Sequence, residues 1–98
     1  MKKVKIIGAG SIGNHMANAC REFGWPVVLC DNDPDALLRT KKDIYPQRYG
    51  KWDNGIRLHT VEDAPKGDFD IIIIGTPPGT HLDIAIDILK LEEPKLLM

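Results

Sequence analysis

Three glycines near the amino terminus have a spacing that could bring a phosphate close to the backbone. Gly8, Gly10 and Gly13 form the pattern G-x-G-x-x-G within the stretch KIIGAGSIGNHMA, residues 5–17. The pattern follows a short apolar run directly and opens a helix-forming segment, which is the context of a dinucleotide-binding loop. In that interpretation Gly8 allows a tight turn, Gly10 admits a pyrophosphate, and Gly13 lets helix and strand pack closely. The alternative is a strand-to-helix turn that binds nothing.

A carboxylate follows at the position where a dinucleotide site would use one. Asp31 lies 18 residues after Gly13, at the end of the next apolar run. Its carboxylate could accept hydrogen bonds from the adenosine ribose and would repel a 2′-phosphate. No arginine follows it in Asn32-Asp33-Pro34, so NAD is favoured over NADP. The alternative is a solvated carboxylate at the start of a loop. The predicted cofactor contacts in this half of the chain are Gly8, Gly10, Ser11, Ile12, Gly13, Asp31 and Asn32.

A second stretch, IIIIGTPPGTHLDIA at residues 71–85, runs from four isoleucines into a turn. The turn Gly75-Thr76-Pro77-Pro78 is followed by Thr80, which is placed to cap a helix. Ligands of doubly wound sheets bind outside the carboxyl ends of the strands, so we expect this turn to face the same crevice as the glycines. From the residues alone, a rigid turn without a ligand explains the stretch equally well.

Strands and helices alternate along the whole sequence. Apolar runs predict strands at 4–7, 27–30, 56–60, 69–74 and 95–98, and helical spacing predicts helices from 12 to Gly24, from Pro34 to about 44, and from Thr80. Ile12, Met16, Cys20 and Phe23 are the predicted apolar face of the first helix, and residues 45–55 are predicted to be a loop. This alternation predicts the α/β class: a Rossmann-type, doubly wound parallel sheet in three αβα layers.

Composition limits the function classes. The chain has 98 residues, 43% of them hydrophobic, and a formal net charge of −1. It is long enough for one domain, residues 1–98, and its charge gives no field that attracts nucleic acid or a membrane surface. The sequence contains no apolar run long enough to span a bilayer, so a cytoplasmic protein is expected. Cys20 and Cys30 lack metal or redox spacing and are predicted to be small buried side chains, and no metal site is predicted.

The glycine loop, Asp31 and the segment T-P-P-G-T-H at residues 76–81 together resemble the amino-terminal domain of the glucose-fructose oxidoreductase, inositol dehydrogenase and rhizopine catabolism family (Gfo/Idh/MocA). The resemblance covers nearly the whole chain. It implies an NAD-binding domain of an oxidoreductase acting on sugar-like or polyol-like substrates. It also implies that Thr76, Pro77, Pro78 and His81 line the nicotinamide end of the cofactor.

The chain departs from this family after its last predicted strand. Members continue with a Glu-Lys-Pro motif and a larger domain that carries the catalytic residue and the substrate pocket. Here Glu92-Glu93-Pro94 precedes the strand and has glutamate in place of the lysine. The expectation is a domain truncated from a longer oxidoreductase, inactive alone and without a catalytic residue of its own, with any homo-oligomer formed through the missing domain. The alternative function is a regulatory nucleotide-sensing module that binds the dinucleotide without hydride transfer.

Overall fold

A parallel sheet forms the centre of the molecule. The computed structural model describes residues 2–75 and 96–97. Its strands are β1 (Val4–Ile7), β2 (Val27–Cys30), β3 (Ile56–His59), β4 (Ile71–Ile74) and β5 (Leu96–Leu97). All adjacent strands pair in parallel, in the order β3-β2-β1-β4-β5. The chain winds outward in opposite directions from β1 and β4, so these two strands form the switch point of a Rossmann-type sheet. The predicted fold class is confirmed.

The two faces of the sheet bury different side chains. On one face, Val4, Ile6 and Leu29 are completely buried beneath the helices that follow β1 and β2. On the other face, Ile72 and Phe69 belong to a smaller apolar cluster. Continuous apolar runs such as these are typical of strands covered on both sides.

Helix α1 (Ser11–Glu22) packs through small residues. Its buried positions include Gly13, Ala17 and Cys20. Ile12 and Phe23, the first and last residues of the predicted apolar face, do not pack against the sheet: Ile12 is 65% exposed and Phe23 is 72% exposed. The prediction is wrong for these two residues. Small side chains let the helix axis approach the sheet, so the larger apolar residues are displaced to the flank of the contact.

The second helical region is longer than the sequence predicts. Helix α2 (Pro34–Arg39) begins as expected, with the Asp33 side chain accepting a hydrogen bond from the Asp35 N–H at 2.9 Å. It runs through a π-helical segment (Thr40–Ile44) into helix α3 (Tyr45–Tyr49). The predicted loop at 45–55 is therefore wrong over its first five residues.

Burial of an aromatic side chain explains the continuation into α3. Tyr45 is only 2% exposed, and its ring lies 4.7 Å from that of Tyr49 and 5.4 Å from that of Trp52, centroid to centroid. Pro46, which suggested a break, lies at the second residue of α3, directly after the π-helical segment.

The predicted start of the fourth strand is wrong, whereas the prediction for the two cysteines is confirmed. Strand β4 starts at Ile71, two residues later than predicted, because Asp68 adopts a positive φ of 64° just before the buried Phe69. Cys20 and Cys30 are buried and unbridged as expected, and burial raises the pKa of the Cys20 thiol. The helix predicted from Thr80 lies outside the described residues. No helix within the described part of the chain is long and apolar enough to cross a membrane.

Candidate functional site

The turn after β1 depends on the conformation of Gly8. This residue has a φ of 111°, a value that side-chain-bearing residues rarely adopt. Its N–H donates to the Cys30 carbonyl oxygen at 2.7 Å, which fastens the turn to the end of β2. The chain can therefore reverse direction at the switch point and enter α1 within three residues.

Gly13 is required by close packing inside the same loop. A Cβ atom at this position would overlap the Gly8 carbonyl oxygen and lie 3.0 Å from the Gly8 carbonyl carbon. Gly75, which ends β4, lies against the same turn, and its N–H donates to the Ile7 carbonyl oxygen at 2.7 Å. The carboxyl end of β4 therefore lies beside the glycine loop, while the rest of the turn predicted to face the same crevice lies outside the described residues.

Gly10 differs from Gly13 because no atom of the described residues occupies the space beside it. Among residues 2–75, a Cβ atom built on Gly10 would have nothing within 4 Å, and its φ of −89° is open to any residue. Gly10 is the N-cap of α1, and in the described part of the chain no side chain caps this helix. The first backbone N–H groups of α1 thus have no side-chain cap among the described residues and are available to a phosphate. This geometry fits the pyrophosphate of a dinucleotide.

Asp31 is bonded to the glycine loop. One carboxylate oxygen accepts a hydrogen bond from the Ala9 N–H at 2.9 Å, and the other accepts one from the Asp33 N–H at 2.9 Å. The side chain is half-buried. Because each carboxylate oxygen has two lone pairs, Asp31 still has acceptor capacity for two ribose hydroxyl groups.

A buried polar network supports the loop from behind. Asn14 and Thr40 have no exposed surface. The Asn14 amide donates to the Gly10 carbonyl at 2.8 Å and to the Ala9 carbonyl at 3.2 Å, and the Thr40 hydroxyl donates to the Ala9 carbonyl at 3.1 Å. Within the described residues, Asn14 Oδ1 has no hydrogen-bond partner. Sequence reasoning missed this network; the available signal was a polar residue, Asn14, directly after a glycine that packs on the sheet.

Sequence reasoning also missed Arg48. Its guanidinium donates to the Ser11 hydroxyl at 2.8 Å and to the Ser11 carbonyl at 3.1 Å. It escaped notice because residues 45–55 were predicted to be a loop. Helix α3 instead brings this cation to the first residue of α1.

The structure brings part of the predicted site together. The glycine loop, Asp31 and Asn32 meet at the carboxyl ends of β1 and β2. Ile12 and Asn32 are exposed there. Thr76, Pro77, Pro78 and His81 lie outside the described residues, so their predicted contacts to the nicotinamide stay predictions.

The described histidines do not form a metal centre. His15 is exposed on α1, and Nδ1 of His59 lies 3.4 Å from the carboxylate of Asp63. Across residues 2–75, no group of three potential ligands could hold a metal ion. The chemistry of this site in the described chain is therefore that of backbone N–H groups, one carboxylate and one arginine.

Comparisons with known proteins agree with this geometry. The family model for the TrkA-N domain matches residues 4–96. A diketoreductase structure, described for dual catalysis of dicarbonyl compounds, is 24% identical with a TM-score of 0.73, and the match covers 98% of this chain and 40% of that one. The (S)-3-hydroxybutyryl-CoA dehydrogenase PaaH1 from Ralstonia eutropha is 24% identical with a TM-score of 0.70, covering 95% and 38%. A comparison with curated proteins found no match.

The two structures establish the shared fold, and the chain spans about two-fifths of their length. The narrower resemblance to the Gfo/Idh/MocA family is not shown by these comparisons.

Proposed function

Because this chain belongs to the TrkA-N domain family, whose domains are Rossmann-like and bind NAD(P), we propose that it binds NAD(H) in preference to NADP(H) as the cofactor domain of an oxidoreductase. The observation that carries the proposal is the open space beside Gly10 at the uncapped N-terminus of α1. Packing within the described residues gives no reason for a glycine there, whereas a bound pyrophosphate does.

The preference for NAD rests on Asp31. Its carboxylate lies at the end of β2 and keeps free lone pairs for ribose hydroxyls. A 2′-phosphate placed against the same oxygens would meet like charge and find no donor on this side chain. Arg39, which folds back to within 3.9 Å of the Asp33 carboxylate, is paired with that carboxylate.

When bound, the nicotinamide would supply the hydride acceptor or donor. The residues of this chain would bind and orient the cofactor. Gly8 to Gly13 would hold the pyrophosphate, Asp31 and Asn32 the adenosine ribose, and Thr76, Pro77, Pro78 and His81 the nicotinamide end. A sugar-like or polyol-like substrate is supported by the resemblance of T-P-P-G-T-H to its counterpart in the Gfo/Idh/MocA family. The diketoreductase and dehydrogenase neighbours support a role in hydride transfer.

The family match also favours a second candidate, a regulatory module that senses the dinucleotide without reacting it. The two candidates share the binding site and differ in chemistry. Hydride transfer by the protein containing this domain, followed at the absorbance of NADH with polyols or sugars, supports the oxidoreductase. Dinucleotide binding with no turnover supports the sensor.

A valine at Gly10 tests the site itself. The Gly10→Val side chain would occupy the space proposed for the pyrophosphate without touching the core, so we expect NAD affinity to fall by more than about 100-fold. Calorimetric titration measures the affinity, and thermal unfolding checks that the domain still folds. A valine at exposed His15, one turn further along α1, is the matched control and should bind NAD like the unaltered protein.

The same titrations performed with NAD and NADP test the preference. Tighter binding of NADP would contradict the role given to Asp31. A Gly10→Val protein with unchanged NAD affinity would show that the glycines serve the turn alone.

A further inference from the structure

Arg48 presents a positive charge at the glycine loop. Both terminal nitrogens of its guanidinium donate to oxygens of Ser11, the first residue of α1. Ser11 directly follows Gly10, whose missing side chain leaves the space described above. The guanidinium therefore lies against the first residue of α1, next in sequence to Gly10.

This charge lacks an anionic partner in the described chain. Arg21 forms an ion pair with Asp53 at 3.1 Å, and Arg39 approaches Asp33 at 3.9 Å. Arg48, by contrast, bonds only neutral oxygens of Ser11 among residues 2–75. A guanidinium forms stronger hydrogen bonds with the oxygens of an anion than with a hydroxyl and a carbonyl oxygen. Hydrogen bonds to a charged group are about twice as strong as those between neutral groups.

The backbone that carries Arg48 is held firmly against the loop. The helical region from α2 to α3 is anchored by Thr40, which is completely buried and bonded to Ala9, and by Tyr45, which is 2% exposed and bonded to Asn18 at 3.2 Å. Arg48 lies three residues after Tyr45, on the same short helix. Its side chain is exposed and can change partners while its backbone stays in place.

We propose that Arg48 is a phosphate ligand of the bound dinucleotide: its guanidinium exchanges the Ser11 oxygens for those of the pyrophosphate. This rests on the proposed function, since it assigns a further residue to the same site. The shared chemistry is recognition of a phosphate by an arginine fork, and the 2′-phosphate of NADP is the other source of such a group.

Arg48→Met tests the proposal by removing the charge while keeping an unbranched, helix-compatible side chain. We expect the affinity for NAD and for ADP-ribose to fall by about 10-fold to 100-fold. The affinity for adenosine, which has no phosphate, should not change. Arg48→Lys keeps the charge without the fork and should give an intermediate loss.

Arg57→Met is the matched control. Arg57 is also an exposed arginine, but it lies on β3, which β2 separates from the loop strand β1. Its loss should leave all these affinities unchanged. Thermal unfolding of both variants should be similar to that of the unaltered protein.

Each other outcome overturns the assignment. A loss confined to NADP would identify Arg48 as a 2′-phosphate ligand instead. An equal loss for adenosine would show that Arg48 only shapes the loop, and unchanged affinities would leave its contact with Ser11 as a surface contact. If the unaltered protein binds no dinucleotide, the proposed function is overturned as well. If the unaltered protein and the Arg48→Met variant bind NAD with the same affinity, this inference alone is overturned.

Discussion

Gly10 and Gly13 belong to the same loop, yet a methyl group added to each would meet different surroundings. At Gly13 it would overlap the Gly8 carbonyl oxygen, which is backbone and cannot rotate away. At Gly10 it would meet no atom of the described residues within 4 Å. One glycine is thus required by the packing of the protein itself, and for the other we propose the pyrophosphate of the dinucleotide as the reason.

Replacing Gly13 by alanine should therefore destabilise the domain even without ligand. The backbone of the loop or of α1 must shift to admit the methyl group, which we expect to cost about 1–3 kcal/mol in the free energy of unfolding. Urea unfolding followed by circular dichroism measures this cost. Gly10→Ala is the control and should unfold at nearly the same urea concentration as the unaltered protein. Equal stability of the two variants would contradict the packing role of Gly13.

At the scale of single residues, the sequence predicts those parts of the candidate site whose residues lie close together along the chain. The glycine spacing and Asp31 were predictable because turn, helix start and strand end follow one another within a short segment. Thr40 and Arg48 were not, because their partners Ala9 and Ser11 lie 31 and 37 residues away. Such contacts depend on the path of a helix that the sequence only partly revealed.

At the scale of elements, the helical region from α2 to α3 supports the glycine loop through a buried hydroxyl group as well as through Arg48. Thr40 donates to the Ala9 carbonyl and accepts from the Asn14 amide at 3.2 Å. It begins the π-helical segment, a type of irregularity that is frequent near functional sites.

Thr40→Val should loosen this support. Valine has nearly the same shape, so the loss is of the two hydrogen bonds of the hydroxyl rather than of volume, at about 0.5–1.5 kcal/mol for each bond. We expect lower thermal stability together with weaker dinucleotide binding. Thr40→Ser keeps the hydroxyl and is the control. If valine and serine variants bind the dinucleotide equally well, the hydroxyl does not position the loop.

At the opposite end of α1, an ion pair joins this helix to the start of β3. The Arg21 Nε donates to the Asp53 carboxylate at 3.1 Å, and the other Asp53 oxygen accepts the Gly55 N–H at 2.8 Å. Burial acts to raise the pKa of Asp53, but the Gly55 hydrogen bond and the Arg21 guanidinium outweigh it and hold the pKa below its usual range.

This lowered pKa makes part of the stability dependent on pH. A carboxylate with a depressed folded pKa stabilises the fold above its unfolded pKa and loses that contribution as the pH falls towards the folded value. Asp53→Asn should therefore be less stable than the unaltered protein at pH 7, and the difference should shrink below about pH 4. Urea unfolding across this range tests it. A constant difference at every pH would show that packing, and not the charge, is responsible.

The elements themselves differ in how far the sequence predicts them. Strands β1 and β2 match their predicted bounds because apolar runs flanked by glycine or proline admit few alternatives. Helix α3 was missed because Pro46 and Gly50 suggested a loop, while the burial of Tyr45 is a tertiary effect. The apolar face of α1 was misplaced because close packing selects small residues instead of large ones.

At the scale of the whole molecule, three contacts from distant parts of the chain converge on one loop. Asp31 and Thr40 both bond Ala9, and Arg48 bonds Ser11. The alternation of strands and helices and the right-handed crossover rule predicted the parallel, doubly wound sheet, and the structure adds the strand order that brings these segments together. The loop is consequently coupled to the stability of the fold that surrounds it.

A ligand at this loop should therefore stabilise the entire domain. With NAD at about 100 times its dissociation constant, binding to the folded state alone adds about 2.7 kcal/mol to the free energy of unfolding. For a domain of this size that corresponds to a rise of roughly 10 °C or more in the unfolding temperature. Thermal unfolding with and without NAD measures the shift, and Gly10→Val, which keeps the core intact, should show none. An equal shift in Gly10→Val would place the dinucleotide somewhere other than the glycine loop. A shift with NADP but not with NAD, at equal concentrations and absent from Gly10→Val, would keep the binding at the loop but reverse the preference assigned to Asp31.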